Sequence, residues 1–219
     1  MKYLKKIKSL SERYFVIDKP NLVLLDATKK VLYNIDVGNV FIQHIDGRLF
    51  SVDEWNANGF STDVANGAAV IDSRASFVVA KEDIGEKLVW STEAVLIDGV
   101  SIGINNYSGL EDTEILVASG ICPAAEACNN YIFPDGSKGY LASAGEWKVF
   151  NDYLEELIEV FNVIGGYNIN SPHTSRYYWS STQNTESYAL QYSTRQGVQR
   201  GTKNVIDEYN GHVRPFKKL

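Results

Sequence analysis

The sequence predicts an α+β fold, small mixed or antiparallel sheets with two helices, and three observations carry that expectation. Short strand-like runs stand before, between and after the helical segments, where an α/β chain would alternate them strictly. One segment, residues 143–166, has a helix-start signal, a helical apolar period and a glycine stop. With 219 residues, 44% of them hydrophobic and 22% charged, the chain has material for a real core.

The elements follow in chain order. Residues 1–35 mix a basic start with two β-like patches, Tyr14 to Ile17 and Leu22 to Leu25, broken by Pro20. They read as an attachment segment or a plain exposed arm, distinct from a domain over 36–219. VFIQHI and RLFSV flank Asp46-Gly47, the dipeptide that favours a type I′ hairpin turn. Ser51, with Glu54 three residues on and Gly59 beyond, marks a short capped helix. GAAVIDSRASFVVA (67–80) reads as one or two buried strands, and KLVWS, AVLID and EILVAS as further short strands. In CPAAEAC, Pro123 opens a helical turn, so Cys122 and Cys128 are too far apart to bridge and are expected as free thiols.

Ser143 and Glu146 form a capping box that starts the clearest helix. Trp147, Phe150, Leu154, Leu157, Ile158 and Phe161 fall on one face, and Gly165-Gly166 ends it. YYWSST (177–182) is a strand, and HVRPF closes the chain with a Pro suited to a strand end or edge.

Charge and composition exclude whole classes. The net charge is -6, so a general nucleic-acid footprint is not expected. Both ends are basic and the middle is acidic. No apolar run reaches the length of a membrane span, and no leader follows the first lysines, so no membrane partner is expected and synthesis in the host cytoplasm is. The two cysteines and three histidines offer no metal-ligand spacing, and neither metal nor cofactor is expected. Glu155, Glu156 and Glu159 cluster on the long helix but lie off its apolar face, as a solvated surface would. His44, His173 and His212 lack triad partners at a defensible spacing, and no phosphate-binding glycine motif occurs. No catalytic residue is assigned.

Residues 180–204 stand apart: 14 of 25 are Ser, Thr, Asn or Gln, interleaved with Tyr188, Tyr192, Arg195 and Arg200. Tyrosine supplies broad contact at low entropy cost, arginine a planar donor fork, and the small polar residues adaptable hydrogen bonds. The stretch reads as a displayed binding surface, or else as a solvent loop with no partner.

GYLASAGEW (139–147), the helix after it, YYWSSTQ (177–183), Tyr188-Ala189 and VRPF (213–216), with IQHIDGRLFSVDEW and GAAVIDSRASFVVA upstream, resemble the C-type-lectin-fold variable proteins diversified by retroelements in gut phages and bacteria. The likeness spans roughly residues 37–216, with about 82–120 as an insertion. It implies a C-type lectin-like fold whose first and last strands pair. It implies framework roles for Trp147, Trp179, Ser180, Ser181, Val213, Arg214 and Phe216. The variable, ligand-contacting positions it implies are Asn184, Thr185, Glu186, Ser187, Tyr188, Gln191, Tyr192, Ser193, Thr194, Arg195, Gln199, Arg200 and Thr202.

The chain lacks the E-P-N or Q-P-D and W-N-D runs of calcium-dependent lectins, so calcium-mediated sugar binding is not implied. It also lacks cysteines after Cys128, which the sulfatase-activating enzymes of related fold need. The resemblance thus implies a receptor-binding protein on a phage tail, contacting a host cell-surface protein or glycan. Its N-terminal segment would join a tail component, with a homotrimer possible. The alternative is a non-variable carbohydrate-binding or adhesive domain of a gut bacterium.

Overall fold

The computed structural model describes residues 39–84, 87–166, 176–206 and 211–219 in full, and four strands within residues 3–36 by their pairing. The chain divides into two compact units, Met1–Asn39 and Val40–Leu219. The first holds β1 (Tyr3–Lys6), β2 (Tyr14–Asp18), β3 (Asn21–Leu25) and β4 (Val31–Asp36), an antiparallel sheet in sequence order. The two apolar patches are its central pair, with Phe15 opposite Leu24 and Val16 opposite Val23. Pro20 and His173 lie outside the described residues.

The second unit is mixed α and β with antiparallel sheets. Its larger sheet runs β6-β5-β7-β8-β13-β9, from β5 (Val40–His44), β6 (Leu49–Phe50), β7 (Ala65–Ile71), β8 (Ser76–Val79), β9 (Tyr140–Leu141) and β13 (Pro215–Lys218). Side chains alternate across it. Ile42, Ala68, Val70, Phe77 and Val79 enter the main core beneath the helices. Ala69 and Val78 face the other way, onto Phe133. Both faces are covered, which explains why these strands read as continuous apolar runs. Pro215 takes the first position of β13, where its missing N–H costs no ladder bond.

Where the sequence predicts two helices, five lie among the described residues of this unit and pack against its sheets: α1 (Val52–Ala57), α2 (Gly109–Ser119), α3 (Pro123–Asn130), α4 (Ala144–Asp152) and α5 (Leu154–Val163). The capping boxes at Ser51–Glu54 and Ser143–Glu146 are both formed, and Pro123 opens α3. Cys122 and Cys128 are free and buried. A smaller sheet, β10 (Tyr178–Gln183), β11 (Tyr188–Ser193) and β12 (Gly197–Thr202), carries the tryptophan motif and most of the polar stretch.

Four expectations need correction. The Asp46-Gly47 hairpin is not a two-residue turn. The His44 carbonyl accepts from Gly47 N and His44 N donates to the Arg48 carbonyl, which leaves three residues in the loop, with Gly47 (φ 86°) in the left-handed position. No strand forms among the described residues of 81–121. EILVAS belongs to α2, whose buried positions Gly109, Asp112, Thr113 and Leu116 follow a helical period that their polar members conceal. The long helix breaks at Tyr153 (φ -117°, ψ 24°). Tyr153 donates its hydroxyl to Asp72 (2.8 Å) while Asp152 pairs with Arg74 (2.7 Å), so the turn between β7 and β8 pins the break. Lastly, β13 pairs with β8 and β9, and β5 with β6 and β7; the β7–β8 hairpin stands between the second unit's first and last strands.

Candidate functional site

The small sheet is a wall between two cores. Successive residues of β10 point to opposite sides. Tyr178 enters the main core beside Trp147 (5.4 Å between centroids), and Trp179 enters a second core, donating its indole N–H to the Leu88 carbonyl (2.8 Å). On β11, Tyr192 stacks on Trp147 at 4.8 Å with planes 12° apart and donates its hydroxyl to Asn151. Offset or parallel aromatic pairs of this kind add about 0.5–1.5 kcal/mol beyond the area they bury.

Every polar side chain of β10 is buried and bound, each to a different element. Ser180 donates to the Leu190 carbonyl on β11 (2.8 Å). Ser181 donates to Asp112 of α2 (3.1 Å). Thr182 accepts from Ala144 N at the start of α4 (3.0 Å). Gln183 donates to the carbonyls of Ile97 (2.7 Å) and Val100 (3.0 Å) and accepts from Ile97 N (3.0 Å). Ser181 and Gln183 thus fasten the segment that the sequence set apart as an insertion, while Ser180 and Thr182 tie the strand to β11 and α4. Asp112 completes the clasp, accepting from Ser101 N and from the Asn106 amide as well as from Ser181.

Buried ionisable groups reinforce the same frame. Glu146 is 2% exposed; burial pushes its carboxyl up, against bonds from Ser143 N, the Ser143 hydroxyl and the Tyr140 hydroxyl. Lys203, just past β12, is fully enclosed: its ammonium lies 4.5 Å from the Trp90 ring centroid and donates to the Val95 carbonyl (2.6 Å), and desolvation pushes its pKa down. Its backbone N–H donates to the Ser187 carbonyl and its carbonyl accepts from Trp90 and Ser91, so it joins the end of β12 to the β10–β11 hairpin and to the loop after Leu88.

The framework set, Trp147, Trp179, Ser180, Ser181, Val213, Arg214 and Phe216, is entirely buried. Arg214 donates to the Lys81 carbonyl and lies 4.7 Å from the Phe161 ring centroid, and Phe216 packs 4.9 Å from Trp147.

The thirteen positions assigned to a single exposed face divide. Thr185, Glu186, Ser187, Tyr188, Arg195, Gln199 and Arg200 are exposed, and Asn184, Thr194 and Thr202 half-buried. Gln191, Tyr192 and Ser193 are buried, and for them the expectation of exposure fails: this part of β11 is packed on both faces, Tyr192 against Trp147 on one and Gln191 beside Trp179 on the other. Gln191 fills the space above Gly201, where a Cβ would stand 2.6 Å from its amide oxygen and 2.7 Å from the Trp179 ring. Nor do the exposed positions share one place. Thr194 and Arg195 occupy the β11–β12 turn, while residues 184–187 occupy the β10–β11 turn at the other end of the strand. What the fold brings together is Tyr188 and Arg200, with the guanidinium 5.8 Å from the ring centroid on the same side of the sheet.

No protein-family model, no curated protein and no solved structure matches this chain. The geometry therefore stands as the primary guide to the site.

Sequence reasoning missed what adjoins this pair. Of the ten exposed large hydrophobic residues among those described, seven lie around the Tyr188 end of the hairpin or in the segments fastened to it: Val95, Leu96, Ile102, Ile104, Tyr188, Val205 and Ile206. Ile102 bridges to Gln183, the Val95 carbonyl is held by Lys203, and Val205 and Ile206 follow Lys203 after Asn204. The available signal was the pairing of aliphatic bursts with Gly and Asn turns in 94–106, which reads equally as strand. Burial pushes both cysteine thiols up, opposite to what a nucleophile needs. Glu155, Glu156 and Glu159 are exposed on α5. His44 lies among Phe50, Trp55 and Phe60 with Asp46 2.9 Å away in its own hairpin. No group of three or more metal-ligating side chains gathers among the described residues, and no helix there is long and apolar enough to cross a membrane.

Proposed function

We propose that this chain is a ligand-binding protein on a C-type lectin-like scaffold, of the kind diversified by retroelements, serving as a phage tail receptor-binding protein that contacts a host cell surface. The observation that carries the reading is Tyr188, 41% exposed, with Arg200 set against it on a sheet whose first strand, and all of whose middle strand but Tyr188, are buried. A rigid aromatic and an adjacent cationic fork form a recognition pair, and a fixed support keeps the entropy lost on binding small. The raised thiols favour binding over catalysis. Under this reading the exposed positions 185–188, 199 and 200 contact ligand, and Gln191, Tyr192 and Ser193 serve the frame. Residues 1–39 would then attach the domain to a tail component or to further copies of the chain, in a trimer.

The test is an exchange of residues 184–202 for those of a sibling protein, followed by binding to host cells of each parent. Host choice should follow the exchanged segment. Host choice that stays with the recipient scaffold sinks the reading. A sequence of this segment that is invariant between isolates, with binding to a polysaccharide, would return the alternative of a fixed carbohydrate-binding domain.

A further inference from the structure

We infer that the partner is a protein surface, apolar at its centre and basic at its rim, and that the insertion grips it together with the β10–β11 hairpin. The inference rests on the binding-face reading above and adds to it the class of partner and a second set of contacts. Leu96, Ile102 and Ile104 are 49%, 60% and 47% exposed, and Val205 and Ile206 are 47% and 43% exposed. Aliphatic groups gathered at one end of the hairpin, apart from the other exposed large apolar residues among those described, Ile45, Ile132 and Leu219, mark a contact site.

The chemistry selects among partners. A glycan presents hydroxyl groups, which need polar partners or an aromatic plane; aliphatic side chains offer neither and would leave those hydroxyls unpaired. A protein surface with an apolar centre loses nothing there, and apolar centre with polar rim is the ordinary anatomy of protein interfaces. The charges around the patch point the same way. Glu93, Asp98 and Glu186 are exposed on its loops, against Arg200 and Lys148, whose ammonium is already engaged by the Asn105 side chain (2.9 Å) beside Ile104, and Lys203 is enclosed. The complementary surface therefore carries lysine or arginine at its edge.

The patch is also held stiffly enough to recognise. Gln183 binds the loop at three points, at Ile97 N and at the carbonyls of Ile97 and Val100. Lys203 binds it at a fourth, the Val95 carbonyl. Both residues belong to the small sheet or its immediate end, so the aliphatic loop and the Tyr188–Arg200 pair are fixed to one support.

The experiment uses the full chain, immobilised, with two probes: a random dodecapeptide display library and a glycan microarray. Peptides that converge on aliphatic or aromatic residues flanked by lysine or arginine are expected, with affinity that falls as salt rises. Their Kd should weaken by about tenfold or more on a Leu96→Asp, Ile102→Asp chain and on a Tyr188→Ala, Arg200→Ala chain. A Leu96→Ser, Ile102→Ser chain, which adds no charge, should show the same direction, and equal urea midpoints for all chains exclude unfolding as the cause. Peptides that lose affinity only on the Tyr188→Ala, Arg200→Ala chain overturn the inference and leave the binding-face reading standing. A glycan that binds through Tyr188 overturns the partner class alone. Peptides indifferent to both pairs, or no convergence, overturn the inference outright.

Discussion

Strands β10 and β12 lie on either side of β11 and draw on similar residues, yet their fates are opposite. In β10, Tyr-Trp-Ser-Ser-Thr-Gln, all six residues are buried, and each polar side chain has a named partner in another element. In β12, Gly-Val-Gln-Arg-Gly-Thr, only Gly201 is buried, and Gln199 and Arg200 are exposed. Both are outer strands of the three-stranded sheet; the difference is what covers them, since the elements that carry Asp112, Ala144 and Ile97 bind β10 and leave Gln199 and Arg200 of β12 to solvent. A Ser- and Gln-rich composition therefore does not distinguish display from frame. Satisfaction of each buried group does, because a buried polar atom without a partner costs about 1–3 kcal/mol.

The sharpest way to break this comparison is Trp179→Ala. Its ring fills the second core with Trp90, Leu116 and Val213 and packs over Gly201 on the same face as Gln191. Loss of a buried Trp costs about 3–5 kcal/mol, and urea unfolding should show a fall of that size. A fall below about 1 kcal/mol, the ordinary size for a point mutant, would show that the frame does not depend on this strand.

Trp179 also shows how much was legible. The tryptophan motif, the two capping boxes, the Pro123 helix start and the 67–80 strands were readable because their signals are local: a cap needs its partner three residues on, and a strand its own alternation. The break at Tyr153 was not, since it depends on Asp72 and Arg74, some eighty residues earlier in the chain. The same holds for α2. Asp112 reads as a surface acid, and only its bonds to Ser101, Asn106 and Ser181 make it a buried one. Of the candidate site, the residue types were legible and their side of the sheet was not. Tyr188 and Tyr192 look alike in sequence, four residues apart on one face, yet one meets solvent and the other Trp147.

Gln183→Ala tests the fastening of the insertion. It removes three bonds to the 97–100 loop and leaves the Ile97 N–H and the Val100 carbonyl without this partner, while the Ile97 carbonyl keeps its bond from Val100 N (3.3 Å). A stability loss of about 2 kcal/mol is expected. Amide exchange should rise at Ile97 and Val100 while β12 is unchanged. Equal protection in both chains would mean that the loop is held by its own apolar residues.

A smaller effect comes from pH. Desolvation, helped by Arg176, lowers His212 to about 4 from the ordinary 6.5. Its carbonyl accepts from Trp179 N, so it holds the start of β10. Because the unfolded chain takes up the proton first, this contribution is complete above pH 6.5 and is lost as pH falls toward 4. Thermal melts should show a decline across that window which His212→Gln flattens. A second decline, common to both chains, should follow between pH 3.8 and about 2. There burial would raise the Asp72 and Asp135 carboxyls, but bonds from Arg74 and Tyr153 to the first and from Lys217 and Ser137 to the second outweigh it. Identical curves for the two chains through pH 6.5 to 4 would remove His212 from the account.

The smallest change in stability belongs to the residues proposed to matter most for binding. Tyr188→Ala and Arg200→Ala delete exposed groups whose mutual contact, a guanidinium 5.8 Å from a ring centroid, is open to water. Surface changes of this kind move stability by less than about 0.5 kcal/mol, and an exposed cation–π pair adds about as much again at most. Both variants should therefore melt with the parent while host-cell binding falls. Tyr192→Ala is the control that separates the two tyrosines: it empties the stack on Trp147 and should destabilise the chain by about 3–5 kcal/mol. Should Tyr188→Ala prove as destabilising as Tyr192→Ala, the end of the hairpin is structural, and edge and frame are no longer different kinds of strand.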